Sequence, residues 1–389
     1  MKKARFVKAA VAVLSLSFVL ATPANAVDLV GSGATFPQGL IDGCKAGFAT
    51  SSTNTYQYSG IGSSAGRSDA KANKGQFWFS DGIYTASDKP ATLKHAPIVA
   101  GPIGIVYNLN ASKDQTLALS ADTINGIFTG KITKWNDPAI VKDNSKTVPV
   151  VTYATKNGVI LKNADGTNKV LRTVNKKLAF KLPNRAIKVV YRSDGSGSTE
   201  NFTKYLNGAA STDNKWGTSS TFSTAFTGNG SSVDAAGNLG RFVSRSGSLG
   251  VANQVASVPD SITYVEPSYA QGASRVASVY NASGSLVDPL TPGAVASFLA
   301  AANAGAQEGT YAFNYKTTEA GAYPISIVSY LLFYTDYASA STAAAVKSAA
   351  EYILSPACAQ TVGAKLGFAV ITGKAKENAD KMIAQIGSK

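Results

Sequence analysis

Residues 191–202, YRSDGSGSTENF, put Arg192 and Asp194 directly ahead of a run of glycine and serine. A guanidinium is a planar fork of N–H donors that matches the oxygens of a phosphate or a carboxylate. Small residues ahead of a helix let an anion reach the unpaired backbone N–H groups and the positive end of the helix dipole. Hydroxyls at the helix cap can add donors beside Arg192. Asp194 belongs in such a loop only if it tests the anion for a proton. A carboxylate accepts hydrogen bonds and donates none, so it tolerates hydrogen phosphate and rejects sulfate, which has no proton near neutral pH. Asp81, in FSDG (79–82), poses the same question. The plainer role for Arg192 is a surface ion pair with Asp194.

The elements that must position these groups follow one local plan, used three times. Residues 27–48, 55–75 and 186–206 each read as a strand, a Gly/Ser/Thr loop and a helix. Pro37 suits the first turn of the first helix, and Ser63 or Ser64 the cap of the second. The third has a strand over 187–191 and a helix from Ser198 or Thr199. One such unit is weak support for an oxyanion site, and three with hydroxyl-rich mouths are stronger. Strands alternating with helices predict a mostly parallel α/β sheet. Further apolar runs at 77–84, 97–109 and 323–337 read as strands. Residues 120–129 read as a helix stopped by Gly130, and 341–355 as one ending before Pro356. NADGTN (163–168) suggests a hairpin. Around it, from 156 to 189, nine lysines and arginines face one acid, Asp165, as a solvated basic face or a docking surface.

Other chemistries find little support. No G-x-S-x-G elbow accompanies His95, which reads as a loop or surface histidine. SDAK (68–71) matches S-x-x-K, with loose echoes of the companion motifs at 212–214 and 316–318, but patterns this short arise by chance. GIFTGKIT (126–133) has the wrong spacing for a P-loop and no hydroxyl after Lys131. A single histidine and no CxxC spacing leave no metal or cofactor motif. The chain has 37 basic and 23 acidic residues and a net charge of +14. That balance favours anionic partners, and no nucleic-acid motif is visible.

Residues 1–26 have the layout of an export signal: four basic residues, a short apolar core and Ala24-Asn25-Ala26. The apolar core is too short to span a membrane. No cysteine follows at Val27 to take a lipid anchor, so an exported protein, periplasmic or extracellular and unanchored, is expected. About 360 residues remain, enough for two domains. Cys44 and Cys358 form either a bridge, as an oxidising compartment favours, or two buried thiols.

Taken together, these residues resemble the substrate-binding protein of the high-affinity phosphate ABC transporter. GSGATFPQGL (31–40), YSGIGSSAGR (58–67), FSDG, GKITKWNDPAI (130–140), YRSDGSGSTENFTKYL (191–206) and ITYVEPSYA (262–270) are similar to family motifs in the same order. The resemblance implies a two-lobed periplasmic-binding-protein-like fold, with the ligand in a cleft between lobes joined by crossover strands. Lobe one would hold 27–99 and 310–389, and lobe two 100–309, with a basic insertion near 156–185. The implied phosphate ligands are Thr35, Phe36, Ser63, Asp81, Arg192, Asp194, Ser196, Gly197 and Ser198. Ser198 stands where the family usually has threonine, and the hydroxyl survives. Both cysteines would fall in lobe one, which favours a Cys44–Cys358 bridge. The implied function is capture of inorganic phosphate by a monomer and delivery to a membrane permease, without catalysis or cofactor. The alternative is a surface protein reusing the fold for another anion or a polymer.

Overall fold

Small residues decide where the first strands can lie. β1 (Asp28–Gly33) leads to helix α1 (Gln38–Ser51), and β2 (Thr55–Gly60) leads to α2 (Ser63–Lys71). Gly33 has φ +135°, and a Cβ there would stand 2.1 Å from the Phe79 carbonyl oxygen, so only glycine fits. Its own carbonyl accepts the N–H groups of Ile61 and Gly62, both at 2.8 Å, which ties the two loops together. This computed structural model describes residues 26–110, 115–211 and 215–389. The expected export signal lies outside them except for Ala26, as does the 212–214 echo.

The chain continues through β3 (Phe77–Ser80), β4 (Leu93–Pro102), β5 (Gly104–Asn108), α3 (Ala121–Phe128), β6 (Thr147–Tyr153) and β7 (Val170–Lys177). Then come β8 (Lys188–Arg192), α4 (Gly197–Ala209), β9 (Phe242–Arg245), α5 (Gly247–Ser257), β10 (Ser261–Val265) and β11 (Arg275–Val276). Last are β12 (Ser326–Tyr334) and α6 (Ala340–Leu354).

Two five-stranded sheets form, in the orders β2–β1–β3–β12–β4 and β9–β8–β10–β5–β11. They are mixed, not mostly parallel as the alternating pattern suggests. β1 runs parallel to β2 and β3, and β8 parallel to β9 and β10. β12 is antiparallel to β3 and β4, and β5 is antiparallel to β10 and β11. The antiparallel members are the strands that carry the chain between sheets. Ile103 alone separates β4 from β5, and its N–H donates to the Ile325 carbonyl at 2.7 Å just before β12 begins. The two crossings therefore lie side by side.

Each sheet is covered on both faces. Val190, Val251, Val255 and Val265 form a core between the second sheet and α5. On its other face, Phe202 of α4 stacks on Tyr264 at 4.5 Å between ring centroids. In the first lobe, Phe48, Tyr56, Phe77 and Phe79 join α1 to the sheet. Cys44 of α1 is disulfide-bonded to Cys358 beyond α6, with Cα atoms 5.4 Å apart across 314 residues of sequence. The NADGTN turn closes as expected, with the Asn163 N–H donating to Thr167 O at 2.9 Å. A second short hairpin around Asn157-Gly158 was not foreseen; both residues have positive φ. Among the described residues no helix is long and apolar enough to cross a membrane, and no acid, histidine and cysteine cluster could hold a metal.

Candidate functional site

Ser196 fixes the start of α4. Its backbone is extended, and its hydroxyl accepts the Thr199 N–H at 3.1 Å. The helix thus begins at Gly197, slightly earlier than the sequence suggests, and the N–H groups of its first turn point out of the helix end. Gly197 has no alternative there. A Cβ would stand 2.6 Å from both the Gly82 nitrogen and the Ser63 hydroxyl. The second lobe's helix therefore meets the first lobe's loops at backbone contact.

The three expected loops converge. Ser63 begins α2, donates to Asp81 Oδ2 at 3.4 Å and accepts the Asp81 N–H at 3.2 Å. Ser198 donates to the same Asp81 oxygen at 3.2 Å from the opposite lobe. Asn201 donates to the Asp81 carbonyl at 2.7 Å. Thr35 lies 2.9 Å from the hydroxyl of Ser248, and Phe36 is buried beside it against Phe368. Further hydrogen bonds cross the cleft, Ser64 N–H to Gly195 O at 3.1 Å and the Ser64 and Ser220 hydroxyls at 2.9 Å.

A fourth loop, missed from sequence, completes the ring. Ser246 lies between β9 and α5 and caps the helix, and Gly247 and Ser248 begin it, the same strand–loop–helix plan. The signal was present: RSGS (245–248) mirrors the SGS of 196–198. Ser248 accepts from Arg192 Nη1 at 3.4 Å. Ser329, also missed, donates to Asp81 Oδ1 at 2.7 Å from the middle of β12. It sits in an apolar run where nothing marks it.

The two aspartates have different surroundings. Arg192, only 3% exposed, donates from Nε and Nη2 to the two oxygens of Asp194 at 2.7 and 2.5 Å. The Gly247 N–H adds a bond to Asp194 at 2.9 Å. Burial raises the Asp194 carboxyl, but the Arg192 fork and charge outweigh it and hold the group below the usual carboxylate range. Asp194 is thus occupied with orienting Arg192. The ion pair with Arg192 that the sequence also suggested is therefore present, though buried and not at the surface. Asp81 is 4% exposed and receives hydroxyls only. Burial pushes it up to about 6, opposed by those hydroxyls and by the charge of Arg192.

A third carboxyl, Glu266, was not singled out. It follows β10, is 2% exposed, and its carboxyl lies near the Ser248 hydroxyl. Burial pushes it up to about 7, with the Arg192 charge opposing and Asp81 adding. Next to Asp81 a cavity of about 470 Å³ runs along α4, walled by Tyr311, Phe313, Tyr315 and Tyr330. Its lysine, Lys204, is paired with Glu200 at 2.6 Å.

The enzyme-like motifs do not assemble. The Ser68 hydroxyl donates to the Ser64 carbonyl, and Lys71 pairs with Asp88 at 2.5 Å in solvent. His95 is buried in β4 rather than exposed in a loop. It accepts the Tyr84 N–H at 3.4 Å, and burial, with the charges of Lys89 and Arg67, lowers it to about 3.

A family model described as a PBP superfamily domain matches residues 20–357. The chain is 31% identical over 329 residues to the phosphate-binding protein PstS of Pasteurella multocida, covering 83% of this chain and 80% of that one. It is 30% identical over 313 residues to PstS of Xylella fastidiosa, covering 79% and 72%. Among solved structures, a phosphate-binding protein from Stenotrophomonas maltophilia matches with a TM-score of 0.61 at 20% identity, covering 92% and 93%. A putative phosphate ABC transporter substrate-binding protein from Clostridium perfringens, with bound phosphate, matches with 0.54 at 17% identity, covering 89% and 100%. These likenesses establish the two-lobed fold.

Proposed function

Because the chain belongs to the PBP superfamily, among the substrate-binding proteins of phosphate ABC transporters, we propose that its four-loop cluster holds hydrogen phosphate between the lobes. The protein is an exported, periplasmic-type receptor that captures inorganic phosphate and passes it to a membrane permease. It is a binding protein and makes or breaks no bond. The hydroxyls of Thr35, Ser63, Ser196 and Ser198, the N–H groups of Phe36 and Gly197, and the outer N–H groups of Arg192 supply donors to phosphate oxygens. Asp194 keeps Arg192 in place, and Ser248 closes the ring.

Asp81 carries the reading. It is a buried acceptor to which only hydroxyls donate. Its oxygens can accept the proton-bearing oxygen of hydrogen phosphate. Sulfate would set oxygen against oxygen and leave a desolvated acceptor unpaired, at a cost of about 1–3 kcal/mol or more. Closure is a hinge motion about the paired crossings at Ile103 and Ile325, with lobe one carrying the first sheet and lobe two the second. Calorimetric titration with phosphate and with sulfate tests the assignment. Tight phosphate binding with at least about tenfold weaker sulfate binding is expected. Equal affinities would dismiss it.

A further inference from the structure

One segment of the second lobe takes no part in the cleft. Residues 156–189 carry nine lysines and arginines and one acid. Among the described residues, Arg185 is the one of the nine with an acidic partner, Asp260 at 2.8 Å. At the centre is β7, every residue of which is exposed. β7 belongs to a two-stranded ribbon with β6, so its outer edge is open.

The ribbon is apolar as well as cationic. Leu171 is 69% exposed, Val170 50%, Val174 40% and Leu161 38%. The Lys169 N–H donates to the Leu161 carbonyl at 2.9 Å, so Leu161 lies at the same end of the ribbon as Val170 and Leu171. Lysines on an open edge strand are a usual guard against strand pairing. That accounts for the cations and leaves the exposed leucines and valines without a role. A soluble polyanion would likewise use only the cations. An anionic bilayer uses both, because headgroups attract lysine and arginine while apolar side chains enter the interface.

We propose that the β6–β7 ribbon is a docking surface for an anionic lipid bilayer, keeping the receptor against the membrane that holds its permease. The phosphate site is elsewhere, so a failed phosphate titration and a failed membrane assay are separate results. The test is co-sedimentation of the exported chain with vesicles of phosphatidylglycerol and phosphatidylcholine, against phosphatidylcholine alone, at low and high salt. Sedimentation with the anionic vesicles only, weakened by salt, is expected. Replacing Arg172, Lys176 and Lys177 together by Gln should lower partitioning roughly a hundredfold, at roughly fivefold per cation. Leu171→Ser should lower it by roughly tenfold. Both variants should titrate with phosphate like the parent. Three results would overturn the proposal: no sedimentation, equal sedimentation with neutral vesicles, or loss in the charge variant with none in Leu171→Ser. The last, with displacement by soluble polyphosphate, would identify a polyanion site instead.

Discussion

Asp81, at the end of β3 in the first lobe, accepts a hydrogen bond at 3.2 Å from Ser198, in the first turn of α4 in the second. The bond spans 117 residues of sequence and joins the two halves of the cleft at the group proposed to select the ligand. Buried acceptors are costly unless satisfied. Here the satisfaction comes from hydroxyls, which can rotate toward an arriving anion.

The Arg192–Asp194 pair makes a stability prediction. Removing one partner of a buried ion pair leaves the other charge uncompensated, at about 3–5 kcal/mol. Arg192 is 3% exposed, so Asp194→Asn should destabilise the ligand-free chain by about 3 kcal/mol in denaturant unfolding. Phosphate should restore part of the loss by supplying Arg192 with a new anion. A variant as stable as its parent would mean that Asp194 does not hold Arg192.

Glu266 predicts a pH dependence. Its carboxyl is raised from 4.5 to about 7 in the folded chain, with burial as the main cause. A raised carboxyl favours folding while protonated in both states, and the contribution is lost as pH rises from the unfolded value through the folded one. Ligand-free stability attributable to this group should therefore fall between about pH 4 and about pH 7, by on the order of 3 kcal/mol. Glu266→Gln should remove that slope. Parallel stability curves for parent and variant would show that Glu266 does not titrate in this window.

The Cys44–Cys358 bridge closes nearly the whole chain. In the chain-entropy model a loop this long is worth on the order of 5 kcal/mol, set against any strain. Reduction, or replacement of both cysteines by serine, should lower the unfolding midpoint clearly. Phosphate affinity should change little, because neither cysteine is among the residues proposed to hold the anion. An unchanged midpoint would contradict the assigned role.

What the sequence disclosed depended on local pattern. Arg192 to Ser198 is legible because a β-branched strand, a Gly/Ser turn and a helix start are consecutive, and each leaves its own mark. Ser329 is not legible, because its neighbours in β12 are apolar and only register brings it to Asp81. Ser248 was legible in RSGS and overlooked. His95 was misread because LKHAPI has the lysine and proline of a loop, yet it forms a buried strand whose pairing comes from β12, more than 230 residues on. The mixed sheets escaped for the same reason, since strand direction follows from the crossings between lobes and not from the local βα pattern. The Arg192–Asp194 pair is legible from its two-residue spacing; its burial is not, because that depends on packing between the lobes.

The central claim is that Asp81 reads the proton on the ligand, and Asp81→Asn tests it most directly. An amide offers an N–H donor where the carboxylate only accepts. Titration of parent and variant with phosphate and with sulfate gives the selectivity ratio for each. The variant's ratio should collapse by at least about tenfold, as removal of one unpaired-acceptor penalty implies. A ratio equal to the parent's, with the fold intact, would contradict the claim.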